Sequence, residues 1–328
     1  MKWDERIQNV SSVRKRRLAE VRRTGNGYNR RKACARAPYG KTRRTMSTDY
    51  QRISVHPIAG AIGAEVRGAY IAEAPDAETI AEIRRALLEH NVIFLREQDV
   101  NSEQYLEFAK QFGEPNEYPF IKGLPDYPLI TPIIKLEDET VNFGGAWHTD
   151  HSYDQVPAMG SILVARTLPP KGGDTLFAHM GAAYDALDED TKREIEGLEA
   201  FHTADHVYKE GGIYARTDIG GELRGQDLQT GATHPVVVRH PRTGRKLLYV
   251  NPSFTVTIAG RSREDSLPLL ERLFAEARNP DHHARVVWEP GTVAIWDNRT
   301  TWHNALNDYQ GHAREMHRIT LTGEKLAA

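Results

Sequence analysis

Apolar residues in this chain recur every second position, in short runs, more often than they recur with helical spacing. Ile53 and Val55, then Ile62, Ala64 and Val66, read as two short strands about a Gly-rich turn. Pro75-Asp76-Ala77-Glu78 is a helix start with acidic residues in the first turn, and Ile80, Ile83, Leu87 and Leu88 form its apolar stripe, ending near Asn91. Val92–Leu95 is a buried-strand pattern. Asn101-Ser102 caps a second helix with Tyr105, Phe108 and Phe112 on one face, and Gly113 stops it. Residues 114–145 are loop-rich, with five prolines and one strand near Leu129–Leu136. Strands follow at Gly160–Leu168 and after the Gly172-Gly173 turn, then two short helices over 181–198 that break near Asp188. Residues 204–233, rich in Gly and polar side chains, read as a mobile insertion. Val236–Val238 and Leu247–Val250 flank a turn at Thr243-Gly244-Arg245. Ser266–Arg278 is a helix with Leu267, Leu270, Leu273 and Phe274 inward. Strands near Arg285–Trp288, Val293–Trp296, Trp302–Ala305 and His317–Thr322 close the chain. Many short strands and few helices predict an α+β fold, mainly β: a sandwich or jelly roll with helices outside.

Composition changes this picture at one end. Residues 1–45 hold 15 Lys/Arg against 3 Asp/Glu, while the remainder holds 28 against 42, so a basic head precedes an acidic body. The head has too few large apolar residues to offset its ordering entropy and is expected to be disordered. It reads as an extension ahead of Met46, whose Met-Ser-Thr-Asp-Tyr run resembles an ordinary N-terminus. Nucleic-acid contact or organellar targeting are the other readings of such a segment. Residues 46–328 form the expected single domain. No apolar run reaches the roughly 18 residues a membrane helix needs. The single cysteine, Cys34, excludes an internal disulfide framework and fits a reducing, cytoplasmic compartment.

The chemistry gathers at Trp147-His148-Thr149-Asp150, after Gly144-Gly145. On an extended backbone His148 and Asp150 point to the same side and supply two thirds of a facial metal site. A second histidine would complete the 2-His-1-carboxylate set typical of non-haem iron oxygenases. His303 lies in a late strand after Asp297-Asn298-Arg299. Arg314 and Arg318, four apart on an extended segment, share a side about 13 Å apart. They suit the carboxylates of two different anions, because a guanidinium binds such groups through a planar fork and stays charged.

His148-Thr-Asp150, Gly172-Gly-Asp-Thr175, His234-Pro235, Thr243-Gly-Arg245, Asp297-Asn-Arg299, and His303 with Arg314 and Arg318 occur in order. Over residues 50–325 they resemble the taurine dioxygenase (TauD/TfdA) family of Fe(II)- and 2-oxoglutarate-dependent oxygenases. The resemblance implies a double-stranded β-helix with Fe(II) on His148, Asp150 and His303. It implies that Arg314 and Thr175 hold the distal carboxylate of 2-oxoglutarate and that Arg318 meets the substrate's anionic group. It also implies O2 as co-substrate, succinate and CO2 as co-products, ascorbate as reductant, and a dimer or tetramer. Asp150 favours hydroxylation, because related halogenases lack this carboxylate.

The expected substrate is a small anionic organic molecule: a taurine-like sulfonate, an alkyl sulfate or an aryloxyalkanoate. Taurine-specific members carry His and Tyr after the second helix, where this chain has Asn116-Glu117-Tyr118. Tyr118 and Asn142 are the candidate substrate contacts beside Arg318, and Tyr118, Phe120 and Phe143 suit an apolar body. Membrane and nucleic-acid partners are not expected. The alternative is a non-catalytic binding or regulatory protein on the same fold, against which the complete residue set argues. Of the other histidines, His151 is out of phase with the motif and reads as a supporting or surface residue. His179 is a candidate to face the pocket, and His202 and Lys209 to line its mouth. His282-His283 reads as a solvated turn and His317 as a core residue.

Overall fold

The computed structural model describes residues 50–214, 217, 223–225, 228 and 230–328. The basic segment 1–45 and parts of the expected insertion at 204–233 lie outside them. The chain opens with β1 (Ser54–Pro57) and β2 (Ala64–Arg67), then α1 (Ala77–His90), β3 (Val92–Leu95), α2 (Ser102–Lys110), β4 (Pro115–Asn116), β5 (Thr131–Lys135), β6 (Gly160–Thr167) and β7 (Thr175–His179). It continues through α3 (Met180–Ala186), α4 (Glu189–Ile195), β8 (Glu199–His202), α5 (Asp205–Tyr208), β9 (Ala232–Pro235), β10 (Val237–Arg239), β11 (Lys246–Leu248), β12 (Thr255–Ile258) and α6 (Arg263–Ala277). The last strands are β13 (His283–Val286), β14 (Val293–Asp297), β15 (Thr301–Ala305) and β16 (Arg314–Leu321).

The large sheet runs β1-β2-β3-β14-β6-β16-β4, and β5 pairs β16 on the same edge as β4, away from β6. Its pairs are antiparallel except β2 with β3. The three-stranded sheet β13-β7-β15 belongs to the opposite wall of the jelly roll. Phe94, Leu163, Phe177, Val286, Trp288, Trp296 and Met316, drawn from both sheets, form one buried cluster. Single inward side chains on alternating strand positions close this layer, and each large one stabilises by roughly 1.5–3 kcal/mol.

Helices α1 and α2 cover the outer face of the large sheet. The Asp76 side chain accepts the Thr79 N–H, and Asn91 ends α1 in the left-handed region at φ 63°. Ile80, Ile83, Ala86 and Leu87 pack inward; Leu88, expected in that stripe, is exposed. Asn101 and Gln104 form a reciprocal capping box for α2. The Tyr105 hydroxyl donates to the carbonyls of Ile162 and His317 at 2.6 and 3.0 Å, pinning α2 to β6 and β16. On the opposite side, α3 and α6 pack with Ala178 and Trp302. Ser262 caps α6, so the helix begins three residues before the expected Ser266. Leu269 packs inward and Leu267, expected inward, is exposed. The expected solvated turn at His282-His283 is corrected: His282 is buried with Nε2 2.9 Å from a Glu276 carboxylate oxygen, and His283 Nε2 lies 2.9 Å from the Ala277 carbonyl.

Candidate active site

His148 and His303 face each other across a single antiparallel bridge. Each backbone N–H donates to the other's carbonyl, at 3.1 and 2.8 Å. Such mutual pairing fixes the two imidazoles side by side, with ring centroids 4.0 Å apart. His303 is held from its other edge by β7, opposite Phe177. Asp150, two residues beyond His148, brings Oδ1 to 3.6 Å from His148 Nε2 and 3.9 Å from His303 Nε2. One ligand atom from each of the three lies within 4.8 Å of the others, and all three side chains are buried. The approach to His148 requires glycine: at Gly144, φ +78°, a Cβ would stand 3.3 Å from the His148 ring.

The protonation states suit metal ligation. His148 Nδ1 lies 2.7 Å from the Ala146 carbonyl, so it carries the proton and leaves the Nε2 lone pair open. Burial, and then the neighbouring His148, pull the His303 pKa down to about 3, so its ring is neutral. Burial alone would raise the Asp150 carboxyl, but Arg318 and the two imidazoles hold it well below the usual carboxylate range. Two imidazoles and one carboxylate converge on one point, which is a donor set for a divalent metal.

The two arginines of β16 both point into the barrel, as their spacing predicts, and both are buried. Arg314 has no ion pair among the described residues, and its Nε and Nη2 have no hydrogen-bond partner. Burial lowers its pKa, the cost of a charge without a counter-ion. Around it stand Trp288, whose ring is 6.0 Å from the guanidinium, and Gly173, where a Cβ would press to 3.1 Å on Arg314 Cδ. Thr175 Oγ1 accepts the Trp288 indole N–H at 3.0 Å. Arg318 differs: Nη1 donates to Asp150 Oδ1 at 3.2 Å, while Nε and Nη2 are unpartnered. Burial opposes its charge, but Asp150 and the nearby tyrosines outweigh burial and raise its pKa.

The Arg318 guanidinium lies 4.3 Å from the Tyr118 ring and 5.9 Å from that of Phe143. Tyr118, Phe120, Phe143, Tyr153, Tyr208 and Phe254 form a buried aromatic cluster there. The Tyr118 hydroxyl donates to that of Tyr208 at 3.0 Å. Asn142 is placed otherwise: its amide N–H donates to the Ala305 carbonyl at 2.9 Å and braces the loop ahead of His148.

Ser161 and Tyr214 were not visible from the sequence, whereas His151 was expected as a supporting or surface residue. Ser161 donates to Asp150 Oδ2 at 2.9 Å. Tyr214 accepts the Gly144 N–H at 2.8 Å and stacks on Phe143 at 5.1 Å. His151 is buried in the left-handed region at φ 59°. Its Nδ1 lies 2.8 Å from Asp154 Oδ2, and its Nε2 is enclosed without a partner. Only small polar residues inside a buried strand, or a strained position beside a ligand motif, would have signalled them. The structure sets His179 apart from this cluster. It lies 2.8 Å from Arg245 Nη1, and Arg245 lines a cavity of about 300 Å³ with His240, Asp297 and Thr300. His202 is buried against Thr255, His234 and Tyr249, and Lys209 pairs with Asp205. His317 pairs with Glu315 inside the core at 2.9 Å.

Residues 54–320 match the family model described as Taurine catabolism dioxygenase TauD, TfdA family. The chain is 35% identical over 277 residues to an alpha-ketoglutarate-dependent sulfate ester dioxygenase of Pseudomonas putida, covering 83% of this chain and 90% of that protein. It is 33% identical over 277 residues to an alkylsulfatase of Acinetobacter baylyi, covering 84% and 86%. A taurine dioxygenase crystal structure from Burkholderia xenovorans superposes with a TM-score of 0.72 at 33% identity, covering 85% of this chain and 92% of that one.

Proposed function

The chain belongs to the TauD/TfdA family of 2-oxoglutarate-dependent dioxygenases, and on that premise we propose that it hydroxylates a sulfate ester at the carbon bearing the ester oxygen. It is an oxidoreductase whose chemistry uses iron, 2-oxoglutarate and O2. In this reading His148, Asp150 and His303 hold Fe(II), Arg314 and Thr175 hold the distal carboxylate of 2-oxoglutarate, and Arg318 holds the sulfate. When bound, iron with 2-oxoglutarate and O2 supplies the oxidising power that turns a C–H into C–OH as 2-oxoglutarate becomes succinate and CO2.

The residues present fit those groups. The His303 ring is held neutral by burial, the Asp150 carboxyl is held ionised, and His148 turns its Nε2 edge toward both, which fits a divalent metal. Arg314 offers buried Nε and Nη2 groups that no acceptor among the described residues meets, which fits a carboxylate entering beside it. Arg318 has two open donor atoms above an aromatic floor, which fits an anionic head followed by an apolar body. The observation that carries the proposal is this separation: one buried guanidinium without a counter-ion among the described residues, and a second tied to the Asp150 carboxylate. His151, whose Nε2 is enclosed beside Tyr118 at a ring distance of 5.3 Å, is the further polar group of the substrate chamber. The two relatives with the names alkylsulfatase and sulfate ester dioxygenase support sulfate esters over taurine.

The product of such a hydroxylation carries OH and sulfate on one carbon. Loss of the hydroxyl proton forms C=O as the C–O bond to sulfate breaks, giving an aldehyde and sulfate. Aromatic rings around the head group exclude water from the reacting carbon and leave Arg318 to orient it.

The test is succinate release by the purified protein with Fe(II), ascorbate and 2-oxoglutarate, across alkyl sulfates, alkylsulfonates including taurine, and aryloxyalkanoates. Stimulation by alkyl sulfates, with stoichiometric aldehyde and sulfate, is the expected result. Stimulation by taurine or an aryloxyalkanoate alone would overturn the substrate assignment and leave the reaction class standing. Absence of succinate from iron-loaded protein under every condition would favour a non-catalytic binding protein.

A further inference from the structure

The turn Asp297-Asn298-Arg299 at the end of β14 has no part in the assignments above, yet all three side chains are buried. Arg299 grips Asp297 through Nε at 2.9 Å and Nη2 at 2.6 Å, and His240 Nε2 lies 3.0 Å from the same carboxylate. This cluster fixes the turn and leaves Asn298 between Trp296 and Ser161. The Trp296 indole N–H donates to Asn298 Oδ1 at 2.7 Å. Asn298 Nδ2 donates to Ser161 Oγ at 3.4 Å, and Ser161 Oγ donates to Asp150 Oδ2 at 2.9 Å.

The direction of every proton in this chain is determined. An indole N–H can only donate, so the amide oxygen of Asn298 must face it. The amide nitrogen therefore faces Ser161 and donates to the hydroxyl oxygen. The hydroxyl has one proton, and an ionised carboxylate can only accept, so that proton goes to Asp150. Ser161, Asn298 and Trp296 are each at most 2% exposed, so water does not replace a missing member.

Resting on the metal-site reading of His148, Asp150 and His303, we infer that Trp296, Asn298 and Ser161 form a one-way hydrogen-bond relay. It occupies Asp150 Oδ2 and presents Oδ1 alone to the metal. Oδ1 is the atom near both imidazoles, and Arg318 Nη1 competes for it at 3.2 Å. With Oδ2 held, the carboxylate cannot swing to give both oxygens to the Arg318 fork or to chelate the metal. Ser161 and Asn298 are thus positioning residues for the ligand, and the Asp-Asn-Arg turn is the frame that aligns them. Outer groups of this kind change metal affinity by roughly 10–100-fold.

The experiment titrates Co(II), which O2 does not turn over here, into the metal-free full-length protein by calorimetry, with the visible Co(II) spectrum and the metal-free Tm recorded beside it. Ser161→Ala is expected to weaken Co(II) binding about 10–100-fold and to change the Co(II) band shape as the carboxylate changes its denticity. Ser161→Thr, which keeps the hydroxyl, binds more tightly than Ser161→Ala. Asn298→Asp keeps the shape but reverses the polarity, because a carboxylate accepts the Ser161 proton; it is expected to match Ser161→Ala. Wild-type affinity and spectrum in Ser161→Ala would overturn the relay, as would equal weakening in Ser161→Ala and Ser161→Thr. Should Ser161→Ala fail to fold, wild-type affinity in Asn298→Asp overturns it instead. His148→Ala is the control for the premise. If it binds Co(II) as the wild type does, the metal-site reading fails rather than the relay.

Discussion

The floor of the site and its roof are built differently. His303, Thr175, Arg314 and Arg318 sit on strands, and His148 on a bridge to one of them, each placed by a backbone register. Tyr118, Phe143, Tyr153, Tyr214 and Phe254 come from turns and loops, and Tyr208 from the four-residue α5. The floor is held by paired N–H and C=O groups on both sides, the roof by ring packing and a few hydrogen bonds such as Tyr214 to Gly144. A strand whose register slips by one residue turns every side chain to the other face, so the floor is all or nothing. A loop wall can be recut one ring at a time. In the proposed reading the metal, 2-oxoglutarate and sulfate contacts therefore belong to the floor, and the wall around the body of the substrate to the roof.

The largest expected effect tests the floor at its centre. His148→Ala removes one of the three proposed ligands and is expected to abolish Fe(II) binding and turnover. Iron occupancy is measured after dialysis and succinate by chromatography. Full occupancy with normal turnover would remove the assignment. Next come the two arginines, where the division within the floor can be broken. Arg314→Ala is expected to raise KM for 2-oxoglutarate by roughly 30–150-fold, the worth of about 2–3 kcal/mol in charge-assisted hydrogen bonds, with a smaller change for the sulfate ester. Arg318→Ala should show the reverse order. Equal loss of both ligands in either variant would contradict two separate anion sites.

That contrast also explains what the sequence could disclose. His148 and Asp150 share a side because strand geometry has period two, and Arg314 and Arg318 share one for the same reason; alternation is legible without a structure. The long helices were legible through Asp76 and Asn101, whose caps are local. β8, β9 and β12 were not expected, because four residues such as Glu199-Ala-Phe-His202 carry little alternation and pair with segments distant in sequence. In α6 the inward stripe runs through Ser266, Leu269, Leu270, Leu273 and Phe274, so Leu267, expected inward, faces out: a serine counts as polar in the pattern and hid the true phase. The aromatic roof could not be assembled in advance: its rings come from separate loops whose meeting depends on tertiary contacts alone. Ser161 was hidden inside an apolar run, and its polar role shows only once Asp150 stands beside it.

The roof is expected to respond in steps. Tyr118→Ala and Phe143→Ala each remove ring surface around Arg318, about 1.5–3 kcal/mol if a bound alkyl chain covers it fully. KM for long-chain alkyl sulfates should rise about tenfold or more, while short-chain esters and 2-oxoglutarate change little. A chain-length series measured on each variant decides. A uniform loss across chain lengths would mean these rings serve the fold rather than the substrate.

The smallest effect per unit of perturbation is the pH dependence of the strand scaffold. His202, on β8, is fully buried, and burial followed by His234 lowers its pKa from 6.5 to about 3. His179, on β7, is lowered from 6.5 to about 4 by burial and then by Arg245. A histidine with a depressed folded pKa binds its proton more readily when unfolded. Its contribution is therefore complete above about 6.5 and is lost as the pH falls toward the folded value. Each of the two should cost about 1.4 kcal/mol per pH unit between roughly 6.5 and its own folded pKa, the free energy of one proton taken up on unfolding. Urea midpoints of the metal-free protein at pH 7, 6 and 5 measure the slope. His202→Asn removes one of the histidines with a lowered folded pKa, a set that in the metal-free protein also includes His303, and should flatten the slope by about 1.4 kcal/mol per pH unit, although the variant is less stable at pH 7. An unchanged slope in that variant would mean the acid sensitivity lies elsewhere, and the strand scaffold would lose its distinction from the roof.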